Sequence, residues 1–255
     1  MRTHIFTTFI ILLSINLAVS KSNMENYVPT CNYSYLNKCN ITPTPQNVNI
    51  LGGAAAYAVL AYATTTNSGP TTIVGSVGVC PGTAIAGFPL TIISGTIHSA
   101  DQNALDGQNS VTRAYVFVAA MAYDSDITGT ELAGLTLKPG CYKFSSSAFL
   151  SAGVLTLDAK GNADAEWFFQ IGSTLITSSA GSEVKVINGG SPLNVYWQVG
   201  SSATLKTSTK MVGNIMAKAS ITFGTNASLI GRAFACNGAI TMLSNNISCA
   251  LCHYN

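Results

Sequence analysis

From residue 51 onward the apolar positions fall in short runs of Val, Ile, Leu, Phe and Tyr, broken by Gly, Asn and Ser. Such writing predicts many short β-strands closed by tight turns. One stretch departs from it. Ala104, Gln108, Val111, Tyr115, Val118 and Ala122 recur at helical spacing, and Ser99 with Gln102 three residues on has the form of a capping box. The spacing predicts a single helix of about 24 residues from Ser99 to Tyr123, ~36 Å long. Its Ala-rich stripe suits close packing along a body of similar length.

The strand-rich remainder repeats. Met211-Val212-Gly213-Asn214-Ile215-Met216-Ala217 matches Leu229-Ile230-Gly231-Arg232-Ala233-Phe234-Ala235 at a shift of 18 residues, and Ile73-Val74-Gly75-Ser76-Val77 is a third copy. Nine residues before each of these glycines stands a threonine: Thr66, Thr204 and Thr222. Threonine followed by a large apolar residue also recurs at Thr136, Thr156, Thr174, Thr204, Thr222 and Thr241, in steps of 20, 18, 30, 18 and 19. A period near 18 with one longer step predicts a β-solenoid with a bulging loop, whereas an immunoglobulin-like sandwich has no reason to repeat at that interval.

Alternation along a strand then assigns the sides. If Leu175, Leu205, Phe223 and Met242 fill the interior, the threonines before them face outward and stack ~4.8 Å apart. Thr156, Thr174, Thr204, Thr222 and Thr241 form one candidate rank, joined by Thr66 through its offset from Gly75. Thr177, Thr207, Thr225 and Ser244 form a second rank three residues on. On the neighbouring strands Ile215 and Ala217 point inward if Asn214 and Met216 point out, with Phe234 in the place of Met216. Exposed apolar side chains there need a cover, and the helix supplies it.

Composition sharpens this picture. Only 9% of residues are charged, against roughly 25% in ordinary soluble domains, while 27 Thr and 26 Ser supply neutral polarity. An apolar content of 47% excludes a disordered chain. With 12 basic and 10 acidic residues, giving +2, there is no electrostatic case for nucleic acid or an anionic membrane. Arg2, the apolar residues 5–19 and the small residues Ala18 and Ser20 read as a signal peptide, residues 1–20. Nothing later approaches a membrane span, so a secreted, extracellular protein is expected. Residues 21–47 read as an irregular extension, 48–247 as the solenoid domain and 248–255 as a Cys-containing tail.

Seven cysteines in an exported chain point to disulfides. Cys31 and Cys39 share a short loop and are expected to pair, and Cys249 or Cys252 is expected to reach Cys236. Sequons begin at Asn32, Asn40, Asn226 and Asn246.

Catalytic chemistry is poorly represented. After leader removal His98 and His253 remain, neither near a recognisable nucleophile motif. Asp124-x-Asp126-x-Thr128-Gly129 opens like a calcium loop, but Leu135 occupies the place of its bidentate Glu, so a polar turn is expected. Asp158, Asp164 and Glu166 read as solvated loop carboxylates rather than a catalytic cluster. Cys249-Ala-Leu-Cys252-His253 satisfies the haem-attachment pattern, yet only Tyr254 and Asn255 follow, and a terminal disulfide staple is the better reading. No catalytic, metal or cofactor site is therefore expected, and no enzyme: a carbohydrate-active solenoid would need paired acids and a positioned Arg, and only Arg113 and Arg232 are left.

Several motifs in order resemble the microbial ice-binding proteins of the DUF3494 type. They are Leu51-Gly52-Gly53 through Ala58-Val59-Leu60-Ala61, Gly69-Pro70-Thr71, Gly75-Ser76-Val77-Gly78-Val79-Cys80-Pro81-Gly82-Thr83-Ala84, and Gly95-Thr96-Ile97-His98. Further on come Gly134-Leu135-Thr136-Leu137-Lys138-Pro139-Gly140, Phe169-Gln170-Ile171-Gly172-Ser173-Thr174-Leu175 and Trp197-Gln198-Val199-Gly200-Ser201-Ser202-Ala203-Thr204-Leu205. The resemblance spans residues 50–247. It departs at Cys80 and Cys141, where Ser and a small or β-branched residue are expected. It implies a mainly β fold: an irregular right-handed β-solenoid, triangular in section, with one long α-helix alongside. It also implies a monomer whose partner is an ice crystal surface, met by a flat solenoid face. A structural or adhesive solenoid would share the fold without acting on ice. If the helix instead covered the threonines, the site would move to the strands of Tyr196, Gln198, Asn214 and Arg232; the helix's apolar stripe matches Met216 and Phe234 better.

Overall fold

The computed structural model describes residues 50–179 and 181–249. The leader, the extension up to residue 49 and the tail from residue 250 lie outside them, and with them the Cys31–Cys39 pair and Cys252.

The strands pair in parallel, as coils of a solenoid must. Space does not follow chain order. On one face the strands lie in the order Ala148–Leu150, Leu175–Thr177, Ala203–Leu205, Ile221–Phe223, Ile240–Leu243, Thr64–Ser68, Ala84–Ala86. The chain thus makes two coils near one end, crosses to the other end through a helix, and returns in five coils until the last docks on the first. That helix, α1 (Gln102–Ala120), has 19 residues, so its ~28 Å matches the ~29 Å of six strand spacings.

α1 is shorter than its periodicity predicts. Asp101, not Ser99, is the N-cap and accepts from the Ala104 N–H at 2.8 Å. Ser99 still belongs to the strand Ile97–Ser99, and its hydroxyl donates to Thr83 O at 2.9 Å. The helix buries Ala104, Gly107, Gln108, Val111, Ala114, Tyr115 and Val118, one stripe at i, i+3, i+4 spacing.

The 18-residue match is a literal register: Met211 to Ala217 pair residue for residue with Leu229 to Ala235. The third copy joins through Ile247, which pairs with both Leu229 and Ile73. Gly213 and Gly231 turn one corner at φ +101° and +150°. A Cβ on Gly231 would stand 1.9 Å from the Gly213 carbonyl oxygen, so no larger residue fits where these coils stack.

Coil size follows the interior side chains. One inward row runs Tyr142, Phe169, Trp197, Ile215, Ala233, Val59, Val77. The row beside it runs Phe144, Ile171, Val199, Ala217, Ala235, Ala61, Val79. The aromatic end stacks face to face, with Phe169 and Trp197 centroids 4.0 Å apart. Close packing demands a wide section there and a narrow one where Ala and Val take over. Successive strands on the first face are accordingly 27 and 28 residues apart from Phe149 through Ile176 to Thr204, then 18 and 19 to Thr222 and Thr241. Loops at 159–166 and 187–194 hold much of the surplus.

Candidate functional site

Three faces surround the core, and their outward side chains differ in kind. The face under α1 presents Leu60, Phe168, Tyr196, Met216 and Phe234, which form with the helix a second apolar cluster. Polar groups there are consumed locally. Gln170 Nε2 donates to the helix-end carbonyls of Val118 and Met121 at 2.7 and 2.8 Å, and Gln198 Nε2 to Tyr115 Oη at 2.7 Å. Asn214 is fully buried, and Arg232 donates to Ala55 O at 2.9 Å and Asn214 Oδ1 at 3.0 Å. Burial pushes the Tyr196 phenol up to about 12. The strands of Tyr196, Gln198, Asn214 and Arg232 are therefore covered, and Met216 and Phe234 meet the helix as the alternation predicts.

The second face carries charge. Its outward positions include Val154, Glu183, Lys185, Lys210 and Ile230, and Lys210 Nζ lies 3.8 Å from Glu183 Oε2.

The third face is short-stranded and uncharged in its middle. Thr204, Thr222, Thr241 and Thr66 stand in one unbroken row across four adjacent coils, and Thr66 Oγ1 donates to Thr241 Oγ1 at 3.4 Å. Thr222 and Thr241 are exposed, Thr66 and Thr204 partly so. The row ends in Ile176 and Phe149 on one side and Ala86 on the other. Two residues back along each strand, ~6.7 Å away, runs a parallel row: Ser147, Thr174, Ser202, Ser220, Ala239, Thr64. In it Ser147 Oγ and Thr174 Oγ1 are 2.8 Å apart, and Ser220 Oγ accepts from the Ala239 N–H at 3.2 Å. Lys206, one residue past Leu205, is the charged residue that directly follows one of these strands.

Some residues predicted for the rank fall elsewhere. Thr156 is on the charged face, between Thr136 and Lys185. Thr174 does face outward here, but in the second row; Ile176 takes the place opposite Thr204. Thr177 points inward at 2% exposure, its Oγ1 2.6 Å from Thr209 Oγ1 and accepting from the Lys206 N–H. The phase slips because the two wide coils displace it, and because Thr-Leu occurs on more than one face. Thr207 and Thr225 lie in the corner beyond the strands. Ser244 stacks on Asn226 rather than Thr225, since Asn246 pairs with Ser228, and Ser208, Asn226 and Ser244 share left-handed backbone at φ 59°, 59° and 53°. Ser147, Ser202, Ser220 and Thr64 were missed; the signal was there in the alternation of Ser202 with Thr204 and Ser220 with Thr222.

The acidic residues outside the threonine face are engaged within the fold. Asp124 Oδ2 accepts from the Cys141 N–H of the adjacent strand at 2.8 Å, and Asp126 Oδ1 from the Thr128 N–H within its own turn at 3.0 Å. Asp158 binds the Lys160 side chain at 2.7 Å and the Asn188 amide at 2.6 Å, which hold its carboxyl down at about 2, whereas burial raises Glu166. Cys249 Sγ lies 2.5 Å from where a Cβ on Gly75 would stand, and its carbonyl accepts from Arg232 at 3.4 Å; it is not bridged to Cys236, which follows the end of the Arg232 strand. Among the described residues no helix is long and apolar enough to cross a membrane.

Comparison with known proteins fits this layout. The model of the Ice-binding-like family matches residues 59–248. The chain belongs to that family. It is 47% identical over 203 residues to an ice-binding protein of Nostoc sp. (strain HG1), covering 79% of this chain and 74% of the other. It is 31% identical over 194 residues to the ice-binding protein K3-B1 of Typhula ishikariensis, covering 68% and 78%. The crystal structure of an ice-binding protein from an Antarctic biological consortium superposes with a TM-score of 0.77 at 42% identity, over 82% of this chain and 95% of that one. That of the Antarctic ascomycete Antarctomyces psychrotrophicus gives 0.75 at 37% identity, over 78% and 97%. The β-solenoid is the fold of these family members.

Proposed function

We propose that this chain adsorbs to ice through the face bearing Thr66, Thr204, Thr222 and Thr241, with Thr64, Thr174, Ser202 and Ser220 beside them. The observation that carries the reading is the four-coil threonine row, uncharged and left open on a solenoid whose other two faces are covered by the helix or carry charge. Ice is ordered water. Methyl groups on a rigid plane favour leaving bulk water, while hydroxyls at fixed positions anchor a water layer that merges with the lattice. Each water-mediated contact contributes little after its immobilisation cost, so the array must be large and preorganised. A charged side chain would hold a competing hydration shell, which accounts for the sparse charge of this face.

Adsorbed molecules pin the ice front between them and make it curve, which opposes growth and recrystallisation. The protein acts as a secreted monomer in this reading, with residues 1–20 removed on export, and performs no catalysis. The test is direct. Purified protein is expected to shape single ice crystals, give thermal hysteresis and suppress recrystallisation; unaltered crystal habit together with normal grain growth would reject the function.

A further inference from the structure

One corner of the solenoid is longer than the corners stacked on either side of it. Ala217, Ala235 and Ala61 lie in register on the helix-covered face, and Ile221, Ile240 and Thr65 on the threonine face. Residues 218–220 and 62–64 join these positions on the flanking coils, whereas the coil between them uses 236–239. Both ends of the step are fixed by the neighbours, so the additional residue is left unpaired and the chain bulges outward. The bulge holds Asn237-Gly238. Asn237 is exposed, and neither its amide nor the Gly238 N–H has a partner among the described residues.

No larger residue fits in place of Gly238. A Cβ there would stand 2.5 Å from Ser220 Oγ and 2.7 Å from the Ala219 carbonyl carbon. The Gly238 carbonyl accepts from the Ala63 N–H at 2.9 Å, and the next N–H, that of Ala239, donates to Ser220 Oγ at 3.2 Å. Packing thus demands a glycine directly after an unheld asparagine, and a glycine nitrogen has no side chain beside it to shield it. The other Asn-Gly of the chain is tied down: Asn188 Nδ2 donates to Asp158 Oδ1 at 2.6 Å, and its carbonyl accepts from the Gly161 N–H at 3.0 Å.

We propose that Asn237 is a self-modification site, at which the side-chain amide is lost through a cyclic imide and a carboxylate takes its place. Asparagine is chemically labile, and here its attacker is at hand. The Gly238 nitrogen gives up its proton and attacks Asn237 Cγ; the N–Cγ bond forms, the Cγ–Nδ2 bond breaks, and the amide nitrogen leaves as ammonia with that proton. Water then opens the ring. Opening at Cγ gives aspartate, whereas opening at the backbone carbonyl carbon gives isoaspartate, whose main chain runs through the side chain and gains a methylene. A water enters and an ammonia leaves, with nothing oxidised or reduced. Either product sets a charge and its hydration shell at the edge of the uncharged row that includes Ser220 and Ala239, against which Gly238 lies. Isoaspartate also displaces the Gly238 carbonyl and Ala239 N–H that tie this corner to Ala63 and Ser220. A resulting loss of ice activity rests on the ice-binding reading; the modification itself does not.

Peptide mapping by mass of the full folded chain, aged at mildly alkaline pH, tests it. The mass change of an amide-to-acid exchange is expected at Asn237 at least about tenfold faster than at Asn188, because no contact has to open first. Asn237→Gln, whose longer side chain cyclises poorly, is expected to abolish it. Conversion confined to denatured protein, or reaching Asn188 first, would overturn the proposal. Ion exchange then separates the converted fraction from the fresh one by its added charge, and the converted fraction is expected to lose thermal hysteresis relative to the fresh. Equal hysteresis in two active fractions would refute the effect on the threonine face while the ice-binding reading stood. A fresh fraction inactive on ice would reject that reading, with the modification still decided by mass.

Discussion

The threonine face and the helix-covered face are cut from the same coils. On four adjacent coils the outward row reads Thr204, Thr222, Thr241, Thr66 on one and Gln198, Met216, Phe234, Leu60 on the other. Backbone, strand spacing and register are shared, so side chains alone decide which face is covered. Met216, Phe234 and Leu60 are at 0% exposure beneath α1, and burying each such side chain stabilises by about 1.5–3 kcal/mol. Threonine offers the helix much less: its hydroxyl would lose water without gaining a partner. A solenoid therefore sorts its own faces, with apolar rows recruiting the helix and hydroxyl rows staying open to solvent.

The most damaging change to the open face should be one that leaves the covered face untouched. Thr222→Tyr places a bulky ring in the middle of the row while Phe223 stays in the core. We expect most of the thermal hysteresis to disappear, with stability unchanged to within about 0.5 kcal/mol. Full activity in this variant would remove the threonine row from the proposed site. The converse is Phe234→Ala, which empties the seam under α1 and should destabilise the fold by roughly 3–5 kcal/mol in denaturant unfolding. Activity per folded molecule should survive it. A loss below about 1 kcal/mol would mean that the helix seam contributes little to holding the coils.

A smaller effect is expected where the covered face is polar. Gln170→Leu removes the amide that both carbonyls accept from, leaving Met121 O without that donor and Val118 O with only the Met121 N–H at 3.3 Å, at a cost of about 1–3 kcal/mol. Because those carbonyls close the last turn of α1, exchange at residues 117–121 should rise more than anywhere else; a uniform rise would show the helix end to be held by other contacts.

How far the sequence disclosed this division depends on the region. The 18-residue period between Gly213 and Gly231 is forced by stacking, because neither glycine tolerates a Cβ against the coil beside it, so it was legible as a repeat. Alternation placed Met216 and Phe234 outward, and their apolar character called for the helix that covers them. The helix start was misjudged because a strand that ends at Ser99 and a cap at Asp101 compete for the same few residues. The rank was misread where the coils widen. Sequence counting carries no record of section width, which is set by Phe169 and Trp197 in the core, and so Thr156 and Thr174 were assigned to a row they do not share. The second hydroxyl row was overlooked because the Thr-Leu signature ignores serine at i−2.

That misreading supplies the mildest and most discriminating substitution. Thr156 is an outward threonine before a leucine in the core, as Thr204 is, and by local sequence alone the two are equivalent. Their neighbours are not. Thr156 stands between Thr136 and Lys185, on the face that carries Glu183 and Lys210, where ammonium and carboxylate groups organise water around themselves. Thr156→Tyr should therefore leave both hysteresis and unfolding free energy unchanged, the latter to within about 0.5 kcal/mol. Measured beside Thr222→Tyr under the same ice assay, it separates two explanations of threonine richness. If equal insertions on both faces cost equal activity, hydroxyl content anywhere on the solenoid is what matters. If only Thr222→Tyr does, the ordered row is the working part, and the charge on the second face is what disqualifies the threonines it contains.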